Sequence, residues 1–105
     1  MTEERLTDEL AARALGWRPA PDRYVKSGRS WIPRSKFRPF VDVRDAFRLL
    51  DAVTQDYSLI SLPRVGFSAE VRLAGRIGTA MGEPKARTIA LAVAKALGIE
   101  ANSCQ

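Results

Sequence analysis

The sequence predicts an α+β fold, a single domain over residues 1–105. Three observations point there. Apolar residues recur at helical spacing near the two ends and in the middle of the chain. Between residues 57 and 81 the pattern changes to short runs of β-favouring residues with a period of two. Gly and Pro punctuate the segments between. The expected order is α, β-hairpin, α, β, β, β, α. A small antiparallel sheet of three strands, extended by the hairpin, packs against three helices.

The first helix is predicted over Glu3–Leu15. Leu6, Leu10, Ala14 and Trp17 share one face, and acids crowd the first turns as the helix dipole prefers. Gly16 is the expected left-handed stop, with Trp17 folding back behind it. Pro19 and Pro21 then break the chain. Tyr24-Val25 and Ser30-Trp31-Ile32 flank Lys26-Ser27-Gly28, which reads as a small hairpin with Gly28 at positive φ. Pro33 limits the second arm to a sheet edge. A second helix is expected over Asp42–Val53, with Asp42 as N-cap, Asp45 in a capping box, and Val43, Ala46, Phe47, Leu50 and Val53 as its apolar stripe.

Tyr57–Leu62 is the next strand. In Phe67–Leu73, Phe67, Ala69, Val71 and Leu73 face inward and Ser68, Glu70 and Arg72 outward. A three-residue turn, Ala74-Gly75-Arg76, leads into Ile77–Met81 and would set Leu73 opposite Ile77, both inside. The last helix opens with Pro84 in its first turn and buries Ala86, Ile89, Ala90, Val93 and Leu97. Its small alanines allow close approach to a sheet. Lys85, Thr88 and Lys95 lie off the stripe, Gly98 ends the helix and Ile99 folds back.

Composition narrows the function classes. The 46% hydrophobic content is too high for a disordered chain. There is no His, and Cys104 is the only cysteine, so internal disulfides and cysteine-histidine metal sites are excluded. No Walker loop, GxSxG or HExxH motif is present. Asp42, Asp45, Asp51 and Asp56 read as capping and solvating groups rather than as a metal site. The sequence thus predicts no enzyme, no cofactor and no metal. Without a secretory h-region or an apolar run long enough to span a bilayer, the expected location is the cytoplasm, away from membranes.

The net charge is +5 and is unevenly distributed. Residues 17–40 hold seven cations and one acid, interleaved with Trp17, Tyr24, Trp31, Phe37 and Phe40. Cations among stacking aromatics are what nucleic-acid binding needs. The competing reading is a core of aromatics with Arg stems lying over them. Lys85 and Arg87 at the last helix start are likewise open to two readings, a binding element or a solvated rim. The candidate nucleic-acid-binding residues are Arg29, Arg34, Lys36, Lys85 and Arg87. The candidate partners are nucleic acid, as duplex RNA or DNA, or an acidic protein.

Two family likenesses bear on this. "LAARALGW" at 10–17, "SWIPR" at 30–34, "DVRDAFRLLDAV" at 42–53 and "TAMGEPKARTIALAVAKALGIE" at 79–100 follow one another in an order that resembles the small phage ABA-sandwich domain family. That resemblance implies an α/β layered fold and no established activity. "FSAEVRLAGRIGTAMGEPKARTIALAVAKALG" is similar to the strand-strand-helix stretch of double-stranded-RNA-binding domains, and Lys85 and Arg87 match the lysine cluster of that family. Pro84 stands where that cluster would carry a cation, and the loop Pro63 to Gly66 lacks the family's Gly-Pro-x-His. Taken together, the expected function is that of a non-enzymatic accessory or binding protein of phage or mobile-element type whose ligand is unknown, with nucleic-acid binding as the alternative and a small enzyme of unknown chemistry third.

Overall fold

Helix α1 (Glu3–Leu15) begins at Thr2, whose hydroxyl accepts from the Arg5 N–H at 3.2 Å. It ends at Gly16, φ 71°, where the Gly16 and Trp17 N–H groups both reach the Ala11 carbonyl. Leu6, Leu10 and Ala11 are fully buried on its inner face. The structure, a computed structural model, describes residues 2–64 and 66–99, so Cys104 lies outside it.

The hairpin forms as expected, with β2 (Arg23–Val25) antiparallel to β3 (Trp31–Pro33) and Gly28 at φ 57° in the turn. An unforeseen strand, β1 (Arg18–Pro19), pairs with the other edge of β2. Pro19 was expected to break the chain. On an edge strand its missing N–H costs nothing when that side needs no ladder bond. Tyr24 and Ile32 turn inward, where Tyr24 packs edge-on to Phe37, itself edge-on to Trp17. A single 3₁₀ turn, Arg34–Lys36, follows, and Phe37, Pro39 and Phe40 then run through the core.

Helix α2 (Val43–Val53) has Asp42 as its N-cap, accepting from the Arg44 N–H at 2.9 Å. Three details differ from the sequence expectation. Val43 is exposed, and Leu49 joins Ala46 and Leu50 on the buried face. Asp45 forms no capping box. It is buried and accepts from the Arg38 N–H at 2.9 Å, holding the incoming loop against the helix.

The second sheet is the meander β4 (Tyr57–Leu62), β5 (Gly66–Leu73), β6 (Arg76–Gly82), antiparallel with β5 in the centre. It is separate from the first sheet rather than continuous with it. The β5–β6 turn has two residues, not three: Leu73 pairs with Arg76 and Arg72 with Ile77. Ala74 (φ 49°) and Gly75 (φ 83°) are both left-handed, the geometry of a two-residue turn that matches the right-handed strand twist. The register therefore puts Ile77 on the outer face, 62% exposed, and Gly78 inside opposite Val71.

Helix α3 (Lys85–Ala96) covers the inner face of this sheet and packs on α2. Pro84 stands one position before the first turn, with extended backbone, and its carbonyl accepts the Thr88 N–H at 3.1 Å. Thr88, expected off the stripe, is buried because its hydroxyl donates to the Gly82 or Pro84 carbonyl. Ala92 and Ala96 lie directly over Gly78. Gly98 (φ 79°) ends the helix, and Ile99 folds back, its N–H on the Ala94 carbonyl at 2.9 Å. Among the described residues, no helix is long and apolar enough to cross a membrane.

Candidate functional site

Two of the five predicted site residues are committed to the fold. Arg34, on the 3₁₀ turn, donates its Nε–H to the Ala20 carbonyl at 2.7 Å and both Nη groups to Asp8 of α1, at 2.7 and 3.2 Å. Its guanidinium lies 4.9 Å from the Tyr24 ring centroid, and the Tyr24 hydroxyl donates to the same Asp8 carboxylate at 2.7 Å. Burial, and then the Asp8 carboxylate, push the Tyr24 phenol well above its ordinary range. The hydrogen bond to Asp8 raises Arg34 in turn. This is a clamp between α1 and the hairpin, and the charge of Arg34 is cancelled inside it. Arg87 does not project freely either. It pairs with Glu3 at 2.6 Å and lies over Phe40, tying α3 to the start of α1.

The other three are exposed but dispersed. Lys85 sits at the α3 start, its ammonium 5.0 Å from the Phe67 ring and 5.9 Å from Phe47. Lys36 lines a shallow groove with Arg38, Asp42 and Asp45. Arg29 stands in the β2–β3 turn, which the Ser30 N–H closes onto the Ser27 carbonyl. A cleft of about 410 Å³ runs between α1 and residues 34–41. Glu3 and Glu4 line it together with Arg34 and Arg38, so the acids would repel a polyanion there.

The outer face of the first sheet is different. Arg18, Val25 and Trp31 form one row across its three strands, with Arg23 and Pro33 in the next. Trp31 is 50% exposed, an unusual state for an indole. The Arg23 guanidinium lies 4.2 Å from the Trp31 ring centroid, a close cation–π stack. Asp22 holds that guanidinium in place, accepting from its Nε and Nη2 at 2.9 and 2.8 Å. Those bonds, led by the Arg23 side chain, keep the Asp22 carboxyl below the usual carboxylate range. Lys26 belongs to the other side, over Trp17. Sequence reasoning flagged Arg29 and the aromatic density but missed Arg18, Arg23 and Trp31 as a group. The alternation around Tyr24 was the available sign: with Tyr24 inward, Arg23 and Val25 must point out, and the hairpin register adds Trp31.

Among the described residues, no three His, Cys, Asp or Glu side chains gather as a metal-holding group. No family model matches the chain, so neither likeness drawn from sequence motifs gains support there. No curated protein matches it. The fold itself has a solved counterpart. The crystal structure of a phage protein from Bacillus cereus ATCC 14579 aligns with a TM-score of 0.77 at 15% sequence identity, covering 95% of this chain and 91% of that one. At that identity the similarity is one of fold.

Proposed function

We propose that this protein is a non-enzymatic accessory protein of phage type that works in the cytoplasm by binding nucleic acid, with the outer face of β1–β2–β3 as its contact surface. The full-length fold likeness to a phage protein supports the phage-type context. The observation that carries the binding role is the exposed Trp31 stacked by Arg23, with Arg18 in its row across the sheet and Arg29 in the adjoining turn, and with Asp22 the one acid in residues 17–40. Cations neutralise phosphates and release counterions, while an aromatic gives a base somewhere to stack.

The test is salt-dependent binding of the full chain to labelled oligonucleotides. Affinity should fall steeply with salt, by about one unit of log–log slope for each phosphate contact. The double variant Arg18→Ala/Arg29→Ala should flatten that slope by up to about two units with the fold intact. Lys85→Ala should leave it within error, because Lys85 lies on a different element. If Lys85→Ala abolishes binding and the double variant does not, the contact surface is the α3 start. Absence of binding at low salt to every oligonucleotide would refute the nucleic-acid role and direct the search to an acidic protein partner.

A further inference from the structure

The outer face of the first sheet presents Arg18, Arg23 and the half-exposed indole of Trp31. We infer that the ligand of this face is single-stranded nucleic acid, with one base stacked on Trp31; this rests on the nucleic-acid role proposed above. In a duplex the flat faces of the bases are hidden against one another, and only phosphates, sugars and groove edges are offered. A half-exposed indole finds no partner in that arrangement. A single strand offers base faces directly, and stacking on an aromatic tolerates any base.

The local geometry favours one base over an extended groove. β1 has two residues and β2 and β3 three each, so the face is about 10 Å along the strands and about 10 Å across them. That is too short to follow successive grooves of a duplex, as shape-reading domains do. It suffices for one or two nucleotides. Arg23 lies over the Trp31 ring and half of the residue is exposed, so a base on the opposite ring face would complete a base–indole–guanidinium stack. Asp22 fixes the guanidinium before binding, so little side-chain freedom is lost on complex formation. Because Asp22 also cancels the charge of Arg23, phosphate neutralisation falls to Arg18 in the row of Trp31 and Arg29 in the adjoining turn. Val25 and Pro33 supply an apolar floor beside the ring.

Fluorescence anisotropy of the full chain with labelled oligo(dT), oligo(rU) and a DNA duplex of equal length at low salt tests this. The single strands should bind roughly tenfold or more tightly than the duplex. Trp31→Ala should weaken oligo(dT) binding roughly tenfold and leave duplex binding unchanged. Trp31→Phe, which keeps a ring and guards against a folding defect, should recover most of the loss. Unlabelled oligo(dT) should quench indole emission in the native chain and not in Trp31→Phe, where Trp17 is the remaining indole. Equal binding of single strand and duplex with Trp31→Ala silent overturns the stacking inference and leaves the electrostatic role standing. No binding of any probe overturns both.

Discussion

Replacing Gly78 with Ala tests how closely α3 lies on the sheet. Gly78 is buried on the inner face of β6, and a Cβ built there overlaps the Ala92 carbonyl oxygen and the Ala96 nitrogen and comes within 3.0 Å of the Ala96 Cα. Ordinary carbon contacts lie at about 3.5–4.0 Å, so the helix must retreat by about 1 Å or the strand must bend. Retreat would open the packing around Ile89, Ala92, Val93 and Ala96, all essentially inaccessible to solvent. Overpacking of this kind costs about 1–3 kcal/mol, and contacts with backbone rather than with flexible side chains put Gly78→Ala at the upper end, about 3 kcal/mol. With a urea m-value of about 1 kcal/mol/M, the midpoint should drop by about 3 M. Equilibrium urea denaturation followed by far-ultraviolet circular dichroism reads this directly. Ile77→Thr, one residue away on the outer face, should stay within about 0.5 kcal/mol of the native protein. Ala92→Gly should not rescue Gly78→Ala, because the obstructing atoms are backbone. A native-like midpoint for Gly78→Ala would refute the close approach. A large loss for Ile77→Thr would refute the two-residue turn and restore Ile77 to the core.

Arg34→Ala should cost about 2 kcal/mol in the same urea titration, because it leaves the half-buried Asp8 carboxylate with Tyr24 alone and the Ala20 carbonyl without its donor. It should not flatten the salt dependence of oligonucleotide binding; a flattening as large as that from Arg29→Ala would show Arg34 reaching phosphate. Tyr24 predicts an alkaline effect. Its folded phenol ionises above the usual value of about 10, so the stability it contributes is fully present below pH 10 and is lost as pH rises toward the folded value. Tyr24→Phe should therefore show a shallower loss of stability above pH 10 than the native chain, measured by urea midpoints across pH; parallel curves would contradict the assignment.

The elements that sequence disclosed are those determined by neighbouring residues. Gly16, Asp42 and Gly98 mark helix ends through local backbone and capping chemistry, and α1 and the inward face of β5 emerged with their expected limits or pattern. The misreadings arose where distant contacts decide. The apolar pair Leu73 and Ile77 suggested a shared face, yet strand twist selected the two-residue turn and Ala74 accepted a positive φ. Asp45 and Thr88 are polar residues that sequence places outside, and each is buried because one backbone group is in reach. At the candidate site the same limit applied. Nothing near Arg34 in the chain announces Asp8, 26 residues earlier, and nothing near Arg87 announces Glu3, 84 residues away. Trp31 was ambiguous for the opposite reason, since aromatics at that density normally belong to a core.

The pairing of Arg87 with Glu3 carries a consequence for synthesis. A ribosome delivers α1 well before α3, so α1 waits for this anchor until the 84 residues that separate Glu3 from Arg87 have emerged. The two meanders are built from adjacent strands and can pair as they appear. The surface that buries Leu49, Leu50, Ala69 and Val71 cannot form before α3 arrives, because α3 packs against both α2 and β5. A nascent chain halted before Lys85 would thus carry paired strands above an uncovered apolar layer, a species suited to chaperone capture or proteolysis.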